Sequence, residues 1–546
     1  MFKLWRKEKM NTLKSRMGWE IEEEEVLYGK HKLYKHRPKN VIELLLNIVE
    51  KYPNQEGFIF KNQRLTYTEF NNMVNKIAVG LYKEGVRQGD HVALLLGQQI
   101  EFPLSFFSLM RLGAIVVPLN TRFKAEELVY EINDSESKYL IVDEDYWPFV
   151  EPIVEETQLK KIFFVGSKQP KGVCHFSILM DTKEKLLPPI TISEFDTAVI
   201  MYTSGTTGRP KGAMLQHRGL VLTAMLVSDY MALRSRYDKM IACVPLFHIT
   251  GLNQIMLASI FSGVPCVYVK YFKTKEFLEI MSYEKVTAYV GVPNILWLMV
   301  NHPEFNKYDF SHFRIAFVGG APVTEEMVEG ITKNLPHLEF SPGYGLTEAY
   351  GIVSTTPFEY GHRKLTSAGM FLFPVEAKII DDSGKEVPQG EAGELVLRGA
   401  KIFKGYWKKP EDTKAILTSD GWLHTGDICR IDEEGFLWIL DRKKDMINRA
   451  GEKIYSLEVE NVISKHPKVL EVAVVGVPDE IFGEEVKAVI VLRKGAKCSE
   501  EEIKQFCAAH LADYKIPKYV EFVETLPRNP AGKVIKNQLK YIPDKT

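Results

Sequence analysis

Short apolar runs alternate with amphipathic helical stretches through most of the chain. Residues 91–96 and 114–119 are apolar runs separated by helical sequence, which predicts two buried strands joined by a helix. The same alternation continues with apolar runs at residues 198–202, 240–244, 264–269, 288–292 and 315–318. Because strand, helix, strand is the pattern of a parallel sheet, the chain is predicted to be an α/β protein. Ligand sites are expected where such strands end.

Other stretches predict the domain organisation. An amphipathic helix is expected to begin at Val41, and residues 64–70 predict a strand followed by a capped helix. Short strands with turn signals at residues 375–397 predict a β subdomain, and the region beyond about residue 445 predicts a small α+β domain. We therefore expect a leader segment (1–39), a large N-terminal domain of stacked α/β sheets with a β subdomain (40–441), and a small C-terminal domain (442–546).

Composition narrows the classes of function. Lys and Arg number 70 against 71 for Asp and Glu, so no overall field favours nucleic acid. The six cysteines include no Cys-x-x-Cys pair and are too sparse for a disulfide framework, which favours a reducing, cytoplasmic location. No run approaches the roughly 18 apolar residues of a transmembrane helix, and the N-terminus lacks an apolar signal core.

The first 17 residues are rich in basic and apolar side chains, and Glu8 is their single acid. Two interpretations stay open: weak peripheral docking on an anionic inner membrane surface, or a solvated leader. Because bases and apolar residues intermingle on a helical wheel, the pattern favours the solvated leader. The acidic run at residues 20–25 is also predicted to be solvated.

A loop rich in Gly and hydroxyl groups follows the apolar run 198–202. It contains four hydroxyl residues, two internal glycines and, at its end, Lys211 and a third glycine: Thr203, Ser204, Gly205, Thr206, Thr207, Gly208, Arg209, Pro210, Lys211, Gly212. Glycines let backbone N–H groups approach an anion closely, and the ammonium neutralises its charge, so the loop predicts phosphate binding. No Gly-Lys pair of the chain is followed by Ser or Thr, which excludes a Walker A loop. Taken alone, the composition also suits a flexible surface loop.

Four further clusters carry groups suited to phosphate, ribose or metal. They are the aromatic, hydroxyl and carboxylate run at residues 344–348, the run 422–427 ending in Asp427, the charged run 441–445, and the run 527–533 ending in Lys533. An aromatic face suits a base and a carboxylate suits Mg²⁺. Each cluster alone is a weak signal, and Lys533 in isolation is more typical of a solvated lysine.

In this order the motifs resemble the adenylate-forming superfamily of acyl-CoA synthetases, peptide-synthetase adenylation domains and firefly-type luciferases. The resemblance runs from about residue 40 to 540, with a specific core at residues 202–212. The run at residues 420–428 is similar to the fatty acyl-CoA and aryl-CoA synthetase branches. The resemblance implies a mobile C-terminal domain and a two-step reaction, in which a carboxylate and Mg·ATP give an acyl-adenylate and coenzyme A then displaces AMP.

The resemblance also implies a role for each matching residue. Thr203, Ser204, Gly205, Thr206, Thr207, Gly208 and Lys211 would hold the β- and γ-phosphates. Tyr344 with Gly345 would face adenine opposite Gly319, Gly320 and Ala321; Thr347 would bind the α-phosphate and Glu348 the Mg²⁺; Asp427 and Arg442 would bind the ribose. Lys533 would reach the reacting carboxylate and α-phosphate.

Three more positions match the family, and one departs from it. His248 matches a ring at the acyl site, although a structural histidine at a strand end stays an alternative. Lys444 matches the hinge and Gly451 the wall of the pantetheine tunnel. Ser456 departs from the pattern, because the family often has proline there, and we expect the change to affect loop stiffness more than chemistry.

The resulting expectation is an acid:CoA ligase acting on medium- or long-chain fatty acids. Aryl acids and a carnitine-like acid remain alternatives, because pocket depth is not readable from sequence. A free-standing enzyme that loads a carrier protein and a non-enzymatic relative are also open, although the intact Lys211, Glu348, Asp427, Arg442 and Lys533 argue against the latter. A homodimer is left open.

Overall fold

Two compact units make up the chain. The computed structural model describes residues 15–26, 28–181, 187–203, 209–360, 363–528 and 534–541. The first unit is Met1–Ala377 with Leu397–Leu423, and the second is Lys378–Val396 with His424–Thr546. Both units contain helices and strands, so the α/β prediction is confirmed.

The first unit is built on two large sheets and a hairpin. Its strands are β1 (Ile21–Val26), β2 (Gly29–Tyr34), β3 (Glu56–Phe60), β4 (Gln63–Thr66), β5 (His91–Leu95), β6 (Ile115–Pro118), β7 (Tyr139–Asp143), β8 (Lys161–Val165), β9 (Cys174–His175), β10 (Thr197–Thr203), β11 (Lys211–Gln216), β12 (Met240–Ala242), β13 (Cys266–Tyr268), β14 (Ala288–Gly291), β15 (Ile315–Val318), β16 (Glu339–Leu346), β17 (Gly351–Thr355) and β18 (Met370–Phe371). Each apolar run predicted as a strand in this unit overlaps one of these elements, although several runs extend a residue or two beyond the strand.

The strand orders show two mostly parallel sheets. One has the order β11-β10-β6-β5-β7-β8-β9 and is parallel except for the β10–β11 pair. The other has the order β18-β17-β16-β15-β14-β12-β13-β3-β4 and is antiparallel only at its ends. The carboxyl ends of β14, β15 and β16 are therefore neighbours on one edge.

Helices connect these strands. They are α1 (Val41–Lys51), α2 (Tyr67–Lys83), α3 (Glu101–Arg111), α4 (Ala125–Asp134), α5 (Trp147–Val150), α6 (His217–Tyr230), α7 (Ala258–Ser262), α8 (Thr274–Tyr283), α9 (Pro293–Val300), α10 (Glu325–Asn334) and α11 (Pro410–Ile416), with a π-helix at Thr250–Leu257. Thr66 and Glu69 form a capping box at the start of α2, as the sequence predicted. Within the described residues, no helix combines the length and apolar character that crossing a bilayer demands.

Aromatic packing fixes α2 and α3 against the second sheet. The rings of Phe58 on β3 and Phe70 on α2 stack with centroids 3.7 Å apart. Phe70 in turn meets Phe107 of α3 edge-on at 5.8 Å. Since all three side chains are fully buried, this contact is part of the core of the first unit.

The acidic run at residues 20–25 is largely exposed to solvent, as the sequence predicted, but it is also part of a strand. Most of it forms β1, which pairs antiparallel with β2. Its Glu24 carboxylate binds the buried guanidinium of Arg37 at 2.6 Å, and that hydrogen bond lowers the pKa of Glu24 to about 2. Alternate side chains of β1, among them Glu23 and Glu25, are exposed, whereas Glu24 is half-buried.

Lys401 is a fully buried lysine of the first unit. Its ammonium nitrogen donates to the Ile352 carbonyl at 2.7 Å, and burial lowers its pKa from 10.5 to about 7. Because the folded protein releases this proton at lower pH than the unfolded chain, the stability contribution is at its minimum below about pH 7 and rises as the pH increases towards 10.5.

Lys401→Met should remove that pH dependence. The wild-type free energy of unfolding should gain about 2 kcal/mol from this group between pH 7 and pH 9, whereas the variant gains none of it. Urea titrations at both pH values measure the difference, and Lys171→Met, at an exposed lysine, serves as control. Parallel pH dependence in wild type and Lys401→Met would show that the buried amine does not titrate in this range.

The second unit contains the β subdomain strands and a small α+β fold. Its elements, some of which begin in the first unit, are β19 (Val375–Ile380), β20 (Gly393–Gly399), β21 (Leu423–Ile431), β22 (Leu437–Arg442), β23 (Ile447–Arg449), β24 (Glu452–Ile454), β25 (Val469–Asp479), β26 (Gly483–Leu492), β27 (Tyr519–Phe522), α12 (Ser456–Ile463) and α13 (Glu500–Ala508). β25 and β26 form a long antiparallel pair with apolar cores on both faces. The strands predicted after residue 375 and beyond residue 445 are confirmed.

Candidate functional site

The Gly- and hydroxyl-rich loop closes a β-hairpin. β10 and β11 are antiparallel, with Thr203 directly opposite Lys211. Lys211 is therefore the first residue of a strand, which the sequence did not predict. Ser204, Gly205, Thr206, Thr207 and Gly208 lie outside the described residues.

Two tyrosines fasten the base of this hairpin to α4. Tyr202 donates from its hydroxyl to the Asp134 carboxylate at 2.7 Å, and Tyr130 donates to the Pro210 carbonyl at 2.9 Å. Tyr202 is on β10 and Pro210 immediately precedes β11, so one helix fixes both arms. The two residues that flank the loop, Thr203 and Arg209, therefore lie next to hydrogen-bonded positions on β10 and before β11.

The tip between β16 and β17 presents Thr347 and Glu348. Both lie in the short 3₁₀ turn Thr347–Ala349, which ends at Tyr350 in the left-handed conformation with φ 60°. The buried Tyr350 hydroxyl accepts the Gln216 backbone N–H at 2.7 Å, which joins this tip to the end of β11. The tip is therefore held beside the β10–β11 hairpin, which is called the phosphate-loop hairpin after its predicted role.

Residues 403–407 run along β11 and reach the same tip. The Trp407 N–H donates to the Gly212 carbonyl at 2.8 Å, and the Phe403 N–H donates to the Glu348 carbonyl at 2.9 Å. The Tyr406 hydroxyl donates to the Glu348 carboxylate at 2.6 Å. This strip therefore fixes both the backbone and the side chain of Glu348.

Lys211 lies next to the same tyrosine. Its ammonium is 5.5 Å from the centroid of the Tyr406 ring and forms an ion pair with Asp412 of α11. Burial and the Glu348 charge raise the pKa of Tyr406, so its hydroxyl stays protonated as a donor. The fold thus brings together two predicted site residues, Lys211 and Glu348, around one ring.

The predicted adenine walls lie on a common sheet edge. The Gly319 N–H donates to the Gly291 carbonyl at 2.9 Å, immediately after β15. A Cβ at Gly319 would lie 2.8 Å from the Gly343 carbonyl oxygen, so only glycine permits this approach to β16. Gly320 and Ala321 follow β15, and Tyr344 and Gly345 lie on β16, at the same edge. Adenine binding by these residues stays a prediction.

His248 precedes the π-helix Thr250–Leu257. Its half-buried ring lies 4.5 Å from that of Phe247. At Gly251 a Cβ would meet the Pro245 carbonyl at 2.2 Å, so the tight path of this segment requires glycine. The structure fixes the position of His248, while its acyl-site role stays a prediction.

Asp427 and Arg442 face each other in the second unit. They are directly opposite in the antiparallel β21–β22 pair, with Arg442 Nε 3.4 Å from Asp427 Oδ1. Asp427 is buried, whereas the Arg442 side chain is 48% exposed. Lys444 follows β22, and Gly451, with φ 93°, lies between β23 and β24. Lys533 lies outside the described residues.

Ser456, where the family often has proline, belongs to a buried polar network. Its backbone N–H and hydroxyl both donate to the Asp441 carboxylate, the hydroxyl at 3.0 Å. Lys536 donates to the Ser456 hydroxyl at 2.6 Å and pairs with Glu460 at 2.8 Å. A proline would lack the N–H, so this position does more than set loop stiffness.

Sequence reasoning missed Tyr406 and Asp412. Neither belongs to a phosphate-binding motif, and each acts by contacting a residue distant in sequence. Asp441 was noted only as part of the charged run 441–445, and its contact with Ser456 was not predicted. The adjacent aromatic residues Tyr406 and Trp407 are a sequence signal that could have pointed to this segment, because aromatic side chains bury large areas and tyrosine also offers a hydroxyl.

A family model matches most of the chain. Residues 46–407 match the model described as AMP-binding enzyme, and residues 458–533 match its C-terminal domain. Lys211, Glu348 and Tyr406 all lie in the first range.

Named relatives are similar over almost the full length. The long-chain-fatty-acid–CoA ligase of Bacillus subtilis (strain 168) is 33% identical, covering 92% of this chain and 94% of its own. The 4-coumarate–CoA ligase CCL1 of Humulus lupulus is 34% identical, covering 87% and 88%. A crystal structure of the anthranilate CoA ligase AuaEII in complex with anthranoyl-AMP is 28% identical, with a TM-score of 0.84 over 92% of this chain and 96% of that one. The three differ in the acid that they are named for.

Proposed function

Since the chain belongs to the AMP-binding enzyme family, we propose that it is an ATP-dependent acid:CoA ligase that forms an acyl-adenylate with release of pyrophosphate and then an acyl-CoA thioester with release of AMP. Relatives named as CoA ligases over nearly the whole chain support an AMP-forming acid–thiol ligase. The observation that carries the proposal is the arrangement of Lys211, Tyr406 and Glu348 beside the phosphate-loop hairpin.

The first step needs charge stabilisation more than proton transfer. A carboxylic acid is already ionised at neutral pH and attacks the α-phosphorus without a base, so His248 would position the acyl group. Lys211 would bind the departing pyrophosphate end, Thr347 would donate to the α-phosphate, and Lys533 would neutralise charge at the reacting centre. Lys211 would exchange its ion pair with Asp412 for the nucleotide phosphates.

Glu348 fits a magnesium site. Tyr406 binds one oxygen of its half-buried carboxylate, and the second oxygen has no hydrogen-bond partner among the described residues. A carboxylate together with nucleotide phosphates is the set of ligands on which Mg²⁺ is usually held. The ion would neutralise phosphate charge, while Tyr406 keeps the carboxylate aimed towards the hairpin.

We favour medium- or long-chain fatty acids as substrates. The likeness to a fatty-acid ligase supports this, whereas the coumarate and anthranilate ligases keep aryl acids as the second candidate. Coenzyme A ligation should be assayed with aliphatic acids of increasing length beside benzoate, coumarate and carnitine. If turnover is highest on an aryl acid or on carnitine, that acid replaces fatty acids as the proposed substrate class. Background activity on every acid would reject the proposal that the protein is an acid:CoA ligase.

The acceptor and the location are part of the same proposal. A carrier-protein loader would catalyse acid-dependent ATP–pyrophosphate exchange without AMP release stimulated by free coenzyme A. We propose free coenzyme A as acceptor and a cytoplasmic location. Peripheral membrane contact and a homodimer stay predictions.

Tyr406→Phe should reduce adenylate formation about tenfold or more. The change removes the hydrogen bond to the Glu348 carboxylate but keeps the ring beside Lys211, and a hydrogen bond to a charged group contributes about 1.5–3 kcal/mol. Because Tyr406 acts through Glu348, the apparent Mg²⁺ affinity should fall as well. Tyr283→Phe, at an 81% exposed tyrosine, is the control. A loss of rate with an unchanged Mg²⁺ titration would contradict the positioning role.

Lys444→Pro should slow thioester formation and spare adenylate formation. If the C-terminal domain turns about this residue between the two steps, a fixed φ near −65° obstructs the turn. Pyrophosphate exchange reports the first step, and transfer from preformed acyl-adenylate to coenzyme A reports the second. Lys444→Ala keeps the backbone free to rotate and should retain both adenylate formation and thioester formation. Equal rates of transfer in the two variants would reject the hinge.

A further inference from the structure

The first unit contains a cavity, and none of the described residues that line it is a predicted site residue. Its volume is about 590 Å³. It lies between the segment around Trp19, the end of α1, α6, the loop that follows α6, and α7. A volume of this size is typical of a small-molecule site.

Aromatic and apolar side chains form one side of the cavity. Trp19 meets Tyr34 edge-on with centroids 5.4 Å apart and Phe261 at 5.6 Å. Met225 and Leu233 add further apolar surface. The Tyr34 hydroxyl is satisfied by the Asp229 carboxylate at 3.1 Å, so its ring presents carbon rather than an unpaired polar group. This side suits an apolar ligand group.

The segment that carries Trp19 is held in place by hydrogen bonds. The Asp229 carboxylate accepts the Met17 N–H at 2.6 Å and the Ser15 hydroxyl at 3.0 Å. The Ser15 hydroxyl also accepts the Trp19 N–H at 2.8 Å. These bonds fix residues 15–19 over α6 and set the position of the indole ring.

Positively charged side chains also line the cavity. Lys51, Arg234 and Arg236 line the cavity, and no carboxylate lies within ion-pair distance of Lys51 or Arg236 in the part of the chain that the structure describes. Arg234 is 3.6 Å from Asp238, but Arg314 already holds that carboxylate at 2.7 Å. Lys51, Arg234 and Arg236 are exposed, so their charges are available to a ligand that enters the cavity from solvent.

Neighbouring groups are consistent with a positive potential. A hydrogen bond from Ser235, together with the charges of Lys51 and Arg236, lowers the pKa of Tyr52. The one acid in the lining, Glu20, is bound by Lys35 at 2.8 Å. An anionic head group would meet cations here without having to displace a carboxylate.

We propose that this cavity is a binding site for a single-chain amphiphilic anion, specifically a free fatty acid, with its chain against Trp19, Tyr34 and Phe261 and its carboxylate at Lys51, Arg234 and Arg236. A lining that combines aromatic rings with three cations matches that ligand, whereas a neutral lipid would gain nothing from the positive charge. The site is separate from the nucleotide motifs, so binding requires neither ATP nor coenzyme A.

Calorimetric titration of the full chain with decanoate and dodecanoate, below their micellar concentrations and without nucleotide, tests the proposal. Two added CH₂ groups should tighten binding by roughly 15-fold, because each buried CH₂ contributes about 0.8 kcal/mol. 1-Decanol should bind at least about tenfold more weakly than decanoate, and raised salt should weaken only the acid. Equal affinity for acid and alcohol would overturn the proposal.

Variants separate this cavity from an acyl site elsewhere. Arg236→Glu should weaken dodecanoate binding at least about tenfold, and Trp19→Ala should flatten the dependence on chain length. Lys171→Glu reverses an exposed charge outside the cavity and should change nothing. Unchanged binding in Arg236→Glu would place the acid elsewhere and reject the proposal.

Vesicles distinguish a free acid from a membrane. Cosedimentation with phosphatidylcholine vesicles that contain phosphatidylglycerol, combined with no binding of monomeric dodecanoate, would replace the proposal by membrane docking. Because these titrations measure binding without turnover, their outcome does not depend on whether the ligase assay succeeds.

Discussion

Lys533→Ala should slow acyl-adenylate formation about 10²- to 10³-fold. By resemblance this lysine neutralises charge at the reacting carboxylate and α-phosphate, and removing one preorganised charge donor has an effect of this size. The second half-reaction does not build charge at the α-phosphate in the same way. Preformed acyl-adenylate should therefore still react with coenzyme A at a near wild-type rate.

Two single-turnover measurements separate these steps. Acyl-adenylate formation is followed by pyrophosphate release, and thioester formation by transfer from supplied adenylate. Lys494→Ala, at an exposed lysine of the same unit, should leave both unchanged. Equal loss in both half-reactions would mean that Lys533 has a structural role instead.

Glu348→Gln should lower adenylate formation by roughly 10²-fold. The amide keeps the size of the side chain and can still accept the Tyr406 hydroxyl, but it lacks the charge that a Mg²⁺ ligand supplies. The loss should be partly recovered at high Mg²⁺ concentration, since the defect is one of ion affinity.

A Mg²⁺ titration of the initial rate measures this effect. Glu339→Gln alters an exposed carboxylate at the start of β16, the strand that precedes the turn with Glu348, and should titrate like the wild type. If Glu348→Gln loses rate while its Mg²⁺ midpoint is unchanged, the carboxylate acts on the substrate by another route.

The elements that could be predicted are those whose pattern is local. β5 and β6 are short runs that are apolar except for His91, and the Thr66–Glu69 capping box is readable from four consecutive residues. The hairpin of β10 and β11 was not predicted, because β11 begins at a lysine that the motif assigns to the loop. Strand pairing across such a loop depends on long-range contacts that a window of sequence does not contain.

The site divides in the same way. Motif residues such as Lys211 and Glu348 were found because their order along the chain is specific. Tyr406 was not, since its role depends on a contact across 58 positions of sequence. The boundary predicted near residue 441 stays a prediction, as do the roles of Lys444 and Gly451.

The start of α12 is stabilised by the hydrogen bonds of Ser456 to Asp441. A proline at this position would limit the conformations open to the unfolded chain, and the junction would need few contacts to stay formed. Serine leaves that freedom in place, so the folded state must offset a larger loss of chain entropy through its bonds to Asp441. Burial raises the pKa of Asp441, so keeping this carboxyl ionised costs the folded state stability as the pH rises, and acid does not destabilise the fold through this group. Where a proline would hold the start of α12 by chain stiffness, Ser456 holds it by hydrogen bonds to a buried carboxylate.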